Sequence, residues 1–273
     1  MQLFDNIKIV REFIDNKKKC HAKIGFIPTM GALHKGHLAL VKKAQEENDM
    51  VIVSIFVNKA QFNDVKDYQL YPQNLERDLK MLSDLGVDAV FAPHHHEIYP
   101  NDCSFTIQPN TLLDCLCALH RRGHFEGVAL VITKLFNIIQ PHSAYFGEKD
   151  FQQLAIIRKL VRDLNFNIDI IACETVREAS GLAMSSRNQR LSPVSLVKAG
   201  MIYKVLCDIK SNPALISQKK QELVDSGFDK IDYLEIREEE NLKLNMDLNS
   251  SQKRRIFIAG YIEGVRLIDN LSI

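Results

Sequence analysis

Residues 28–37 read Pro28-Thr29-Met30-Gly31-Ala32-Leu33-His34-Lys35-Gly36-His37 and set two glycines and two histidines where an apolar run gives way to a helical one. Residues 22–27 (AKIGFI) read as a short buried strand, and Leu38, Leu40, Val41 and Ala44 then recur at helical spacing. The segment is a strand-to-helix turn. Such a turn aims the first backbone N–H groups of a helix outward with the positive end of its dipole behind them, which suits a phosphate. Gly31 and Gly36 allow close backbone approach. His34 and His37 project from one side of a first helical turn, and either imidazole can donate to a phosphate oxygen. For an isolated H-x-x-H the better reading is one capping histidine beside a solvated one, since short motifs match often by chance.

Outward from this turn, residues 22–173 alternate strand-like runs with amphipathic segments, the pattern of a parallel sheet with crossover helices. Residues 50–57 (MVIVSIFV), 87–91, 144–146 and 168–172 read as strands. Residues 72–85 carry a helical stripe of Leu75, Leu79, Met81, Leu82 and Leu85, with Gly86 as its C-cap. Residues 127–139 form an apolar helix ending before Pro141, and Asp150 opens another. Beyond residue 176, helical patterns at 194–209 and 213–226 precede strand-like runs at 231–236 and 255–262, with 245–253 as a loop. The expected fold is α/β: an N-terminal Rossmann-like parallel sheet with flanking helices over 1–175, then a smaller C-terminal α+β domain over 176–273.

The 273 residues are 46% hydrophobic and 25% charged, and 35 Lys+Arg against 34 Asp+Glu leave a net charge of +1. This balance argues against nucleic acid as the main partner. The first twenty residues mix charges and lack an uninterrupted apolar segment, so neither signal peptide nor membrane helix is expected, and a cytoplasmic location follows by default. Six cysteines (Cys20, Cys103, Cys115, Cys117, Cys173, Cys207) form no CxxC pair and read as reduced packing thiols. The run His94-His95-His96 reads as a solvated loop rather than a metal site, having no evident fourth ligand.

Three further segments carry chemistry. GEKDFQQ (147–153) again follows a strand and opens a helix, at the sheet edge where open α/β sheets bind ligands. Lys149 offers a point charge there, and Asp150 can bond ribose hydroxyls or simply cap the helix. MSSR (184–187) supplies two hydroxyls and the Arg187 guanidinium, suited to bidentate phosphate binding, although S-S-R is also a common surface run. RRGH (121–124) places Arg121, Arg122 and His124 before an apolar helix and passes alone as a solvated helix start.

Together these segments resemble the pantoate–β-alanine ligase family. PTMGALHxGH is complete at 28–37, SIFVN stands at 54–58, the QF dipeptide at Gln61-Phe62, GEKDFQQ at 147–153, GLAMSSRN at 181–188 and RLIDN at 266–270. The resemblance spans nearly the whole chain. HxGH is shared by adenylate-forming and nucleotidyl-transferring relatives, whereas GEKDFQQ with GLAMSSRN is far more specific. Three positions depart from the family pattern: Lys59 and Arg122 where proline is usual, and Ser180 where an acidic residue is usual. None carries an assigned chemical group.

The resemblance implies an ATP-dependent, two-step condensation. Pantoate's carboxylate attacks the α-phosphate to give pantoyl adenylate and pyrophosphate, and the β-alanine amine then displaces AMP. No protein nucleophile is needed, so catalysis is positioning and charge stabilisation by His34, His37, Lys149 and Arg187, with His37 as proton donor. Met30, Gly31, Ala32, Leu33, Lys35 and Gly36 would line the ATP site with the histidines. Gly147, Glu148, Lys149, Asp150, Val176, Met184, Ser185, Ser186 and Arg187 would complete it, with backbone groups at Gly147 and Val176 reading adenine or ribose. Gln61 and Gln153 would hold pantoate, because an amide accepts and donates at once; Tyr71, Arg121 and His124 would surround the pantoate and β-alanine pockets. Mg²⁺ would bridge the phosphates, with Asp78 as a protein ligand. The implied partners are small molecules only (ATP, pantoate and β-alanine), with no membrane or nucleic acid, and the implied assembly is a homodimer with the second domain as a lid. Two rivals share the turn: an HxGH nucleotidyltransferase and a non-catalytic nucleotide-binding homologue. Gln61 and Gln153 favour the ligase over the first, and the intact cationic set argues against the second.

Overall fold

A short edge strand, β1 (Gln2–Phe4), joins the strand-like runs of the sequence, which become β2 (Ile24–Thr29), β3 (Met50–Ile55), β4 (Ala89–Phe91), β5 (Ser143–Gly147) and β6 (Asp169–Cys173), in one six-stranded sheet. The structure is a computed structural model describing residues 1–100, 104–247 and 250–273. Cys103 and positions 248–249 of the 245–253 loop lie outside the described residues.

Strand order is β1-β4-β3-β2-β5-β6, and every neighbouring pair is parallel. The chain winds outward from β2 through β3 to β4, then returns to lay β5 on the other side of β2. The order therefore reverses between β2 and β5, and an open sheet of this kind has its crevice outside the carboxyl ends at that reversal. Residues 28–37 leave the end of β2, and Gly147 ends β5. Ile27, Val51, Val53 and Val90 bury one face of the sheet against Leu33, Val41 and Ala44 of the turn and helix that follow β2. β1 has no counterpart in the sequence reading: its three residues, mostly exposed, are too few to show alternation.

The 72–85 stripe folds as a helix over Leu75–Asp84, because the Asn74 side chain accepts from Arg77 N (2.9 Å) and so sets its start. The helix His124–Ile139 is buried almost all round and ends at Gln140, which adopts a left-handed conformation (φ +45) before Pro141. Gly127 on it is required by close approach, since a Cβ there would stand 2.4 Å from Ala60 O and 2.7 Å from Gln61 N. The run His94-His95-His96 is not a loop; His94 precedes a short helix, His95–Ile98.

Two compact units emerge: 1–110, 121–147 and 156–173 in the first, and 111–120, 148–155 and 174–273 in the second. GEKDFQQ beyond Gly147 thus belongs with the second unit. There, β7 (Lys230–Glu238), β8 (Arg254–Ile262) and β9 (Val265–Ser272) form an antiparallel sheet in that order. Leu234, Ile236, Ile256 and Ile258 pack on Ile202, Val205, Leu206 and Ile209 of the helix Met201–Ser211 and on Leu223 of Ile216–Asp225. The helical run at 194–209 is two helices, Pro193–Ala199 and Met201–Ser211, separated at Gly200, where a Cβ would lie 2.5 Å from Ser180 O. β9 was not legible, because Arg266, Asp269 and Asn270 interrupt its apolar pattern. Its signal is the two-residue turn Glu263-Gly264, both at positive φ (+52 and +69), as a tight hairpin requires. The parallel sheet and the small α+β unit are those expected from the sequence.

Two outcomes follow from this packing. Gly127→Ala overpacks the helix against the Lys59–Gln61 turn and should cost about 1–3 kcal/mol in urea unfolding; an unchanged midpoint would show that the turn yields freely. The Tyr145 hydroxyl donates to Glu47 Oε2 (2.7 Å), and burial together with that carboxylate pushes the phenol up to about 12 from 10.0. The folded state therefore keeps a proton that the unfolded state loses, so stability present below pH 10 declines as the pH rises through 12. Tyr145→Phe should lose less stability than the parent between pH 9.5 and 11.5, and parallel losses would refute the linkage.

Candidate functional site

Thr29 closes β2 with a hydroxyl that donates to Ser54 O (2.7 Å) and accepts from Gly31 N (3.1 Å). Gly31 and Ala32 then both take left-handed conformations, φ +78 and +50. For alanine this costs on the order of 1 kcal/mol. The Asp78 carboxylate holds the conformation: Oδ2 accepts from Ala32 N (2.7 Å) and Oδ1 from Leu33 N (2.8 Å). A Cβ on Gly31 would meet Asp78 Oδ2 at 3.0 Å, so space as well as backbone conformation demands glycine there. Asp78 is 1% exposed and gives both oxygens to this loop. Asp78 thus braces the loop with one hydrogen bond to each of its oxygens. Among the described residues no group of three or more His, Cys, Asp or Glu is arranged to hold a metal ion.

His34 is the N-cap of the helix Lys35–Glu47. Its Nδ1 accepts from Gly36 N (3.1 Å), and His37 Nδ1 accepts from His34 N (3.3 Å), a reciprocal cap made of two imidazoles. The rings lie 4.1 Å apart between centroids. Gly31, Ala32, Leu33, His34 and Gly36 thus all have their amides engaged within the protein. The expected cradle of outward-pointing amides is corrected accordingly. An accepting Nδ1 puts the proton of each neutral ring on Nε2, so the imidazoles become the donors at this helix start.

Asn58, just after β3, organises a second cluster in the same unit. Its Nδ2 donates to Gln61 Oε1 (3.1 Å) and Gly127 O (3.0 Å), while its Oδ1 accepts from Tyr99 Oη (3.0 Å). Arg121 Nη1 lies 2.9 Å from His124 Nε2, and His124 Nδ1 lies 2.8 Å from Gln61 O. A guanidinium can only donate, so Nε2 accepts and Nδ1–H donates to the Gln61 carbonyl. Arg121, His124 and Gln61 are therefore one chain of hydrogen bonds. Tyr71 is buried with its ring edge-on to Phe62 at 5.6 Å, next to Gln61 in sequence. Asn58 and Tyr99 were not singled out from the sequence; the last letter of SIFVN was the signal for Asn58, and Tyr99 left none.

In the second unit, the turn Glu148–Asp150 leads into the helix Phe151–Asp163. Lys149 Nζ stands 3.6 Å from Asp150 Oδ2. Of the paired glutamines, Gln152 is structural: it donates to Leu112 O and Cys115 O (2.8 and 2.9 Å) and accepts from Cys117 N (2.9 Å). Gln153 is half-buried beside it. The Val176 carbonyl accepts from Met184 N (2.9 Å) and so closes a hairpin. Arg177 on that hairpin is paired with Asp269 (2.5 and 3.1 Å) and lies over the Tyr203 ring. Ser185 caps the Ser186–Arg190 turn by accepting from Arg187 N (3.3 Å), and Ser186 is buried. In the first unit, a Cβ on Gly147 would meet nothing within 4 Å, so protein packing does not demand that glycine.

A doubly wound parallel sheet with HxGH at the helix start after β2 defines a Rossmann-like α/β protein of the HxGH type. Residues 2–272 match the model of the Pantoate-beta-alanine ligase family, and the chain belongs to that family. It is 44% identical over 279 residues to the pantothenate synthetase of Thermotoga petrophila, with 99% of each chain covered. The identity to the enzyme of Cytophaga hutchinsonii is 45% over 276 residues, with 98% of each covered. The crystal structure of pantothenate synthetase from Thermus thermophilus matches with a TM-score of 0.90 at 39% identity, covering 99% of both chains. That of pantoate-beta-alanine ligase from Francisella tularensis, complexed with beta-gamma ATP and beta-alanine, matches with a TM-score of 0.88 at 43% identity, covering 100% of this chain and 97% of that one. The protein is a ligase, and these full-length matches favour that reading over the nucleotidyltransferase.

Asp78→Asn replaces one accepting oxygen with an NH₂ facing an N–H. Amide exchange at Ala32 and Leu33 should accelerate at least tenfold in this variant, the equivalent of about 1.4 kcal/mol of lost protection; unchanged exchange would mean that the loop holds itself.

Proposed function

We propose that this chain joins (R)-pantoate to β-alanine at the expense of ATP, through pantoyl adenylate. The observation that carries the chemistry is the reciprocal cap, because it puts the Nε2 proton of both His34 and His37 at the start of the helix after β2. In the first step a pantoate carboxylate oxygen bonds the α-phosphorus and the bond to pyrophosphate breaks. His37, as proton donor, and His34 would stabilise the charge gathering on the phosphate oxygens, aided by Lys149 and Arg187. In the second step the β-alanine nitrogen bonds the acyl carbon, AMP leaves with the acyl–phosphate bond electrons, and the nitrogen sheds its proton.

The remaining assignments rest on the family motif. Met30 to Gly36 and Gly147, Glu148, Asp150, Val176 and Met184 to Ser186 are proposed around ATP. The open space beside Gly147 leaves room for a ligand there. Gln61 and Gln153 are proposed for pantoate. Because Asn58 already occupies Gln61 Oε1, Gln61 would offer mainly its NH₂ to the acid's oxygens. Tyr71, Arg121 and His124 would shape the pocket of the two acids. The beta-gamma ATP and beta-alanine complexed with the Francisella tularensis ligase support the same substrates here. Mg²⁺ is proposed on the ATP phosphates with several waters kept, and Asp78, whose oxygens each retain a lone pair beyond the bond to the loop, as its protein contributor. A homodimer and a cytoplasmic location complete the proposal; no helix among the described residues is long and apolar enough to cross a membrane.

AMP release should require ATP, pantoate and β-alanine together, whereas pyrophosphate release should need only ATP and pantoate; AMP formed without an amide product would refute the ligase. His37→Ala should keep the fold and lose on the order of 10²-fold or more in single-turnover adenylate formation. Gln61→Ala should raise the pantoate KM more than the ATP KM, and an unchanged pantoate KM would show the glutamine misassigned.

A further inference from the structure

RLIDN on β9 has no part in the chemistry proposed above, yet Asn270 is 4% exposed and makes bonds to the peptide backbone on both sides of Lys149's α-carbon. We infer that Asn270, fixed in orientation by Arg255, is the positioning residue that aims Lys149. Its Nδ2 donates one hydrogen bond to Glu148 O and one to Lys149 O, each 2.9 Å, so both amide protons hold the Glu148–Asp150 turn. A carboxamide can do this in only one of its two flips. Arg255 selects that flip, because its Nη1 donates to Asn270 Oδ1 (2.6 Å) and a guanidinium cannot accept.

Arg255 is itself constrained on three sides. Its Nε donates to Glu239 Oε1 (2.8 Å), its Nη2 lies 3.4 Å from Glu148 Oε2, and its guanidinium lies 4.1 Å from the centroid of the Phe151 ring. Burying a guanidinium and a carboxamide in a core adds little net stability over apolar side chains of similar volume. What this network does specify is the direction of two consecutive peptide carbonyls, and hence the path of the Lys149 side chain between them. Asn270 acts through Lys149 and is not itself a catalytic residue. The inference rests on the proposed role of Lys149 toward ATP.

The test is a double-mutant cycle on the full chain with Asn270→Asp and Lys149→Ala, read by pyrophosphate release from ATP and pantoate. Asn270→Asp keeps the shape and the bond from Arg255 but sets oxygen against two carbonyls. It should lower kcat on the order of 10-fold or more while leaving the pantoate KM near that of the parent, and the melting temperature should fall, because two buried carbonyls lose their donor. The double variant should be no slower than Lys149→Ala alone. If the two losses multiply, or if Asn270→Asp matches the parent, the positioning role is overturned. A Lys149→Ala variant with parental pyrophosphate release would overturn instead the assignment of Lys149, and the inference with it. Should Asn270→Asp fail to fold, Arg255→Lys removes the flip selection while keeping the charge, and the same cycle with Lys149→Ala decides in the same way.

Discussion

One buried carboxylate underlies the architecture of the first unit's site. Asp78 grips two successive amides of a loop that would otherwise have to hold Gly31 and Ala32 in left-handed conformations unaided. The bonds are short and charge-assisted, the kind strong enough to offset that strain. With those amides engaged, the loop offers an anion fewer backbone donors than a glycine-rich phosphate loop does. The task passes to side chains, and the pair of histidines fills it because each ring has two nitrogens: one caps the helix while the other carries the proton.

Buried amides repeat this logic elsewhere. Asn58 orients Gln61, Gln152 ties Leu112, Cys115 and Cys117 together, and Asn270 holds the Glu148–Asp150 turn. A carboxamide offers two donors and an acceptor at fixed angles, so one well-placed partner determines the direction of all of them. Tyr99 is that partner for Asn58, and Arg255 for Asn270. Held in apolar surroundings, such groups keep their direction, because any other orientation leaves a buried polar atom without a bond.

The sequence made the parallel sheet legible because β2 and β3 are apolar runs bounded by turn residues. It hid β1, which is too short for a period, and β9, whose polar residues point to partners rather than to solvent. Glycine stands at 200 for a reason no periodicity carries, the nearby Ser180 carbonyl. His34, His37 and Gln61 could be picked out because local motifs mark them. The brace that Asp78 supplies was hidden, because a carboxylate's position in a helix does not say which amides use its lone pairs, and those amides lie 45 and 46 residues away. Asn58 with Tyr99, and Asn270 with Lys149, are separated by 41 and 121 residues, and only the folded chain brings them together.

The turn carrying Gln61 looks in sequence like a loop, but it is bonded to the most deeply buried helix of the unit. Asn58 ties it to the Gly127 carbonyl, and no room for even a methyl group separates Ala60 from Gly127. A segment joined in this way has no local opening of its own: releasing it means shifting a helix packed on nearly every side. Its free energy of opening should therefore approach that of the whole unit, well above the values usual for binding loops. Recognition of the acid then draws on the rigidity of the core, and selectivity for its shape would fade only as the unit itself begins to unfold.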